Sequence, residues 1–299
     1  MDSIRKIFKT RIVILVISVL TVHGLCAQQK KNDGTITKNA GSTEHPVPNN
    51  SIFHGTLADL NWLDVKKAAE ENAIVILPVG VIEQHGPHMC LGTDTYLAYH
   101  RSLELKQQLD SAGIKSVIAP PFYWGIMQLN ESGAFPGSFT VSPSTMKALL
   151  ADIFADLHRW GFRYVYCFNH HGDRLHRKTL SEAIAEAKEK PGLVFYNDQE
   201  QQDRGNGPDF MKYATGKMYE PNYHAGTAET SLMLEYYPKL VNLEIAKTLQ
   251  PESRWQPLGY VGDPANYKNI NMREYSKAEV NYLASCIIDW IKVKNKIEN

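Results

Sequence analysis

The chain has 299 residues, 43% of them hydrophobic, and its 32 Lys and Arg residues balance 32 Asp and Glu residues. Such a length buries one large core or two small ones. A formal net charge of zero leaves no broad basic surface for nucleic acid or an anionic membrane, so the expected partner is a small molecule.

In chain order, Arg5, Lys6, Lys9 and Arg11 lead into the apolar run IVILVISVLTV, followed by Leu25-Cys26-Ala27. This pattern reads as a secretory signal over residues 1–27, cleaved after Ala27, which makes the mature protein periplasmic or secreted. The run is short against the about 20 residues that cross a bilayer, so no stable membrane insertion is expected after cleavage. Leu25 argues against lipid attachment at Cys26. Residues 28–50 are polar and without apolar period, a flexible leader, and residues 51–299 form the folded domain. Cys90, Cys167 and Cys286 fit no metal-site spacing and no disulfide framework.

Ala73–Pro78 is predicted as a strand, Thr95–Ala112 as a helix stopped by Gly113, and Ser116–Ala119 as a second strand. The irregular segment PFYWGIMQLNESGAFPGSFTV follows. Ser142-Pro143-Ser144 then opens a helix whose Leu149, Leu150, Ile153, Phe154, Leu157 and Trp160 share a face, ended by Gly161. RYVYCF is a third strand, NHHGDR a polar loop, His176–Lys190 a helix and LVFYN another strand. The alternation predicts an α/β fold, with helices on both faces of a mainly parallel sheet.

EQHGPH and NHHGDR both fall at the carboxyl ends of predicted strands, the edge where open α/β sheets bind ligands. In an extended segment the i, i+2 pair Glu83 and His85 points to one side. His171 and Asp173 repeat that spacing after the third strand. Asp94 stands at the entrance of the helix that follows EQHGPH, where helix capping is the ordinary job for an Asp. Two His and carboxylate pairs at one edge, with Asp94 able to bridge them, suit divalent metals such as zinc or manganese and imply a two-metal hydrolytic site. A third cluster, HAGTAETS, offers His224 and Glu229 for proton transfer or further ligation.

PVGVIEQHGPHMCLGTDT, FNHHGDR and HAGTAETS, in that order and with AFPGSFTVS and GYVGDPANY between and after them, resemble the creatininase (creatinine amidohydrolase) family over about residues 55–270. The resemblance implies a three-layer α/β/α sandwich holding two divalent ions, zinc or manganese, often in a hexameric assembly. It assigns Glu83 and His171 to one metal and His85 and Asp173 to the other, with Asp94 bridging. It makes His224 the catalytic histidine and Glu229 the acid of the HAG-x-x-E motif. Departures are Asp173 in place of a Glu, Cys90 in place of a Pro, and Ser132 where a His often precedes the FPG turn. Glu220 and Tyr223 stand near His224 where creatininases carry a substrate-covering tryptophan. Tyr123, Trp124, Phe135 and Tyr223 are candidate pocket aromatics, and His88 a supporting residue.

The implied reaction is attack on a small, cyclic amide by a hydroxide held between the metals, with His224 protonating the leaving nitrogen. The alternatives are a metal-dependent deformylase or lactam hydrolase and, from another class, a periplasmic binding protein without turnover.

Overall fold

Strand β1 (Ile74–Val79) is buried along its whole length, because it lies inside a parallel sheet covered on both faces. The computed structural model describes residues 51–127, 135–188, 194–196, 215–216, 222, 224–255 and 257–297. The expected signal and leader, Ser132, Glu220 and Tyr223 lie outside the described residues. β1 pairs with β2 (Ser116–Ile118) and β3 (Tyr164–Asn169), and β3 pairs with β4 (Val194–Tyr196), in the order β2-β1-β3-β4. A short antiparallel pair joins β5 (Thr215–Gly216) to β6 (Ile270–Asn271). The helices are α1 (Trp62–Glu70), α2 (Thr93–Ser111), α3 (Pro143–Arg159), α4 (Arg174–Lys188), α5 (Thr227–Tyr236), α6 (Leu243–Ala246) and α7 (Met272–Ile297).

The period of two along each strand divides the core. Val75, Leu77 and Val79, with Val165 and Cys167, pack against Met146, Leu150, Phe154 and Leu157 of α3 and Leu180, Ala183 and Ile184 of α4. Ile74 and Ile76, with Tyr164, Tyr166 and Phe168, face Leu105 and Leu109 of α2 and Val280, Leu283, Ala284, Ile287 and Ile291 of α7. The result is the expected α/β/α layering. Leu97 of α2 also packs with Leu232 and Met233 of α5, so the helices carrying Asp94 and Glu229 share a third core.

Local signals account for most of the boundaries. Ser142 caps α3 by accepting the Thr145 N–H, with Pro143 in the first turn. α1 and α7 were not delineated by the sequence reading, although Asn61 caps α1 and the apolar residues of α7 keep helical spacing. α2 starts at Thr93, two residues ahead of the predicted start, which puts Asp94 inside the first turn. Cys90, Cys167 and Cys286 are free thiols. Among the described residues no helix is long and apolar enough to cross a membrane.

Ile287 is completely buried between α7 and the sheet. Ile287→Ala should destabilise the fold by about 2–5 kcal/mol. Urea unfolding measures this, and an unchanged midpoint would mean that α7 is not part of the core.

Candidate metal centre

Gly80 decides how close the two main ligand-bearing segments come. A β-carbon there would lie 2.7 Å from the Thr95 amide nitrogen and 2.8 Å from the Asp94 carbonyl carbon. Its absence lets the first turn of α2 press against the end of β1. Thr95 Oγ1 donates to the Val81 carbonyl at 3.1 Å and holds that approach. Asp94 is therefore not the cap of α2; the cap position is Gly92, which offers no side chain. The Asp94 carboxylate turns inward, 2% exposed, toward two histidines.

Both histidines have their tautomers set by main-chain carbonyls. His85 Nδ1–H donates to the Glu83 carbonyl at 3.0 Å, which leaves Nε2 bare, 3.4 Å from Asp94 Oδ1 and 3.8 Å from Glu229 Oε2. His171 Nε2–H donates to the Ile126 carbonyl at 3.0 Å, leaving Nδ1 bare, 2.8 Å from Asp94 Oδ2 and 3.2 Å from Glu83 Oε2. A bare ring nitrogen facing carboxylate oxygens is repulsive unless a cation lies between them: a proton or a metal ion. Glu83 Oε2 and His85 Nε2 are buried without a hydrogen-bond partner. Glu83, Asp94 and His171 bring ligand atoms within 4.8 Å of one another, and so do His85, Asp94 and Glu229. These donors, imidazole and carboxylate with one carboxylate shared, fit borderline divalent ions.

The sequence places Asp173 among the ligands and offers Glu229 for proton transfer or further ligation; the structure sets Asp173 at the start of α4 and Glu229 beside His85 and Asp94. Asp173 Oδ1 accepts the N–H groups of Leu175 at 2.8 Å and His176 at 3.0 Å, so it caps α4 and stands outside the ligand groups. Glu229, on the first turn of α5, enters the His85 and Asp94 group, and its Oε2 also accepts the Ala225 N–H at 2.5 Å. Of the paired histidines in NHHGDR, His170 turns away and accepts from Arg101 Nη1 at 3.1 Å, while Arg101 pairs with Glu279 of α7.

His224 Nε2–H donates to the Gln84 carbonyl at 2.7 Å and lies 3.9 Å from Glu83 Oε1. Its ring stands between His85, at 4.2 Å, and Trp255, at 4.3 Å between centroids. The sequence reading found no tryptophan near His224. Trp255 arrives from a distant loop, brought in by the antiparallel bridge between His224 and Val261. Gln84 was also missed, hidden between two more conspicuous residues. His88 Nε2 meets Thr230 Oγ1 at 2.9 Å and ties the first motif to α5. The Cys90 thiol lies 3.9 Å from Thr93 Oγ1, outside the ligand groups. Trp124 packs on Tyr123 and Phe139, half exposed.

Burial alone would lower the pKa of His85, but Asp94, Glu229 and Glu83 outweigh it and lift it to about 10. Against the same burial, Asp94 and Glu83 lift His171 to about 9. Burial raises Glu83 to about 7, opposed by His171. Asp94 stays well below the usual carboxylate range because His171 and His85 overcome its burial. Burial and the neighbouring His85 hold His224 far below 6.5, so it is neutral.

A family model described as creatininase, creatinine amidohydrolase, matches residues 58–287. A creatinine amidohydrolase of Pseudomonas putida is 28% identical over 215 residues, covering 65% of this chain and 75% of the relative. A mycofactocin precursor peptide peptidase of Mycolicibacterium smegmatis is 27% identical over 264 residues, covering 82% of this chain and 98% of the relative. A crystal structure of creatinine amidohydrolase (creatininase) is similar in fold, with TM-score 0.57 at 22% identity over 80% of this chain and 97% of the other. Similar creatininase structures include a manganese form and a Zn–Zn form of a variant.

In the metal-free protein the raised pKa values of His85 and His171 set a pH dependence. Their stabilisation is complete below the unfolded value of 6.5 and is lost as pH rises through about 9 and 10. His88 at about 4, and His170 and His176 at about 3, act in the opposite sense, but only below 6.5. The thermal midpoint of chelator-treated protein should therefore fall between roughly pH 7 and 10, and zinc should lessen the fall. A flat midpoint across that window would contradict the paired geometry.

Proposed function

This chain belongs to the creatininase family, and from that premise we propose that it is a metal-dependent amidohydrolase cleaving a C–N bond of a small, cyclic amide. The observation that carries the reading is the pair of histidine nitrogens, each facing carboxylates, with Asp94 common to two of the three candidate ligand groups, the third being Glu83, His85 and His224. In the proposed assignment Glu83, Asp94 and His171 would hold one divalent ion, zinc or manganese, and His85, Asp94 and Glu229 would hold the other. Two such ions lower the pKa of water and polarise a carbonyl.

The chain's own residues do the rest. Asp94 fixes both ligand groups in one frame, and the closed tautomers of His85 and His171 keep their lone pairs aimed. A water oxygen bonds to the carbonyl carbon, the C–N bond breaks, and a proton passes to the leaving nitrogen. His224 is the proton carrier: neutral, beside Glu83, with Nε2–H resting on the Gln84 carbonyl. Trp255, on the far side of that ring, forms an apolar wall for a flat substrate. The protein works as a homo-oligomer, and residues 1–27 direct its export to the periplasm or beyond before they are removed.

Zinc- or manganese-loaded protein is tested on creatinine, lactams, formamides and short peptides. Turnover of a cyclic amide, abolished by chelation and restored by metal, is expected. Turnover of peptides alone would change the substrate class and leave the chemistry, while ligand binding without turnover on any of them would favour a binding protein. His224→Gln should lower kcat by about 10²–10⁴-fold with metal content unchanged. Trp255→Ala should act mainly on KM, and a loss confined to kcat would remove Trp255 from the substrate wall.

A further inference from the structure

His176 belongs to none of the ligand groups, yet it is completely buried on the first turn of α4, with its ring edge-on to His171 at 5.0 Å between centroids. Both of its nitrogens are committed. The Ile126 N–H donates to Nδ1 at 3.2 Å. An amide N–H only donates, so Nδ1 carries no hydrogen and Nε2 does; Nε2–H then donates to Asn169 Oδ1 at 3.2 Å. This fixes the orientation of the Asn169 amide, whose Nδ2 donates to the His171 carbonyl at 2.8 Å while Oδ1 also accepts the His171 N–H at 3.3 Å.

The ring of contacts closes through Ile126. Its carbonyl accepts Nε2–H of His171, the bond that leaves His171 Nδ1 bare toward Asp94 and Glu83. Flanking bonds hold the neighbours: the Val141 N–H donates to the Gly125 carbonyl at 3.0 Å, and the Met127 N–H to Thr140 Oγ1 at 3.0 Å. The Ile126 N–H itself ends on His176. The approach is tight: a β-carbon on Gly125 would lie 2.4 Å from His176 Nδ1 and 2.5 Å from Val81 Cγ1. The loop therefore crosses the imidazole at a distance that only glycine permits.

We propose that His176 is a positioning residue, which through Ile126 and Asn169 fixes His171 with Nε2 protonated and Nδ1 aimed at the cation site it shares with Glu83 and Asp94. The inference rests on the metal-dependent reading above and adds a residue to it. Partners that orient a ligating histidine are worth about 10–100-fold in metal affinity. The signal in the sequence is faint, a histidine in the first turn of the helix that follows NHHGDR.

The test is zinc affinity of the full chain, measured by competition with a chromophoric chelator, for wild type, His176→Leu, His176→Asn and His176→Gln. Leu fills the space without either bond and should weaken one zinc site by about 10–100-fold. Asn keeps an acceptor near the Nδ1 position for Ile126 and should recover most of that loss; a residue that merely filled space would not show this rescue. A folded Leu variant with wild-type zinc affinity would overturn the proposal, as would an Asn variant as weak as Leu. Should the Leu variant fail to fold, Gln decides. It keeps a donor for Asn169 and loses the acceptor for Ile126, so it should bind zinc more weakly than both wild type and Asn, and wild-type affinity there overturns the proposal. A wild-type chain that binds no zinc removes the metal reading and this inference together.

Discussion

One buried carboxylate, that of Asp94, facing two histidine nitrogens that can meet it only through a cation, a proton or a metal ion, is the constraint on which the rest of the site depends. As neutral rings, His85 and His171 have each given their one hydrogen to a main-chain carbonyl, so neither can satisfy Asp94 by donation until it takes up a second proton. Charge must come from elsewhere, as protons or as metal ions. Asp94 touches both histidines, so whatever cations enter are held by a common ligand. The surrounding fold keeps that situation from relaxing. The missing side chain at Gly80 brings α2 against the sheet, and the third core fastens α2 to α5, which carries Glu229.

The sheet supplies the address. β1 and β3 are neighbours, and their carboxyl ends release EQHGPH and NHHGDR side by side. Behind the ligands, the fold isolates other polar groups from the site. His170 is taken by Arg101, and Arg101 by Glu279 of α7, so the long C-terminal helix is coupled to the loop that bears His171. The candidate metal ligands come from the end of β1, the start of α2, the end of β3 and the start of α5, so the site is assembled by tertiary packing and not by one local motif.

Much of this was legible in the sequence because two kinds of signal repeat. Alternating apolar runs and helical spacings gave the α/β layering, and the clusters at strand ends gave Glu83, His85 and His171. What was not legible is instructive. Asp94 and Asp173 are both acidic residues beside a helix start, where local propensity favours a cap; the sequence set both among the ligands, and the cap role of Asp173 is what it did not reveal. The structure makes Asp173 the cap and turns Asp94 inward, because α2 begins two residues early and Gly92 takes the cap position. Trp255 lies 31 positions beyond His224 in the chain, and only the bridge between His224 and Val261 brings the rings together. His176 reads as an ordinary helical residue until its partners are seen.

The most direct measurement is anomalous diffraction at the zinc edge from crystals of the metal-loaded protein. Two peaks are expected, roughly 3.5–4 Å apart on either side of the Asp94 carboxylate. One should lie against Glu83 and His171, the other against His85 and Glu229. A single peak, peaks that do not share Asp94, or a peak bound by Asp173 in place of Glu229 would contradict the shared-ligand centre.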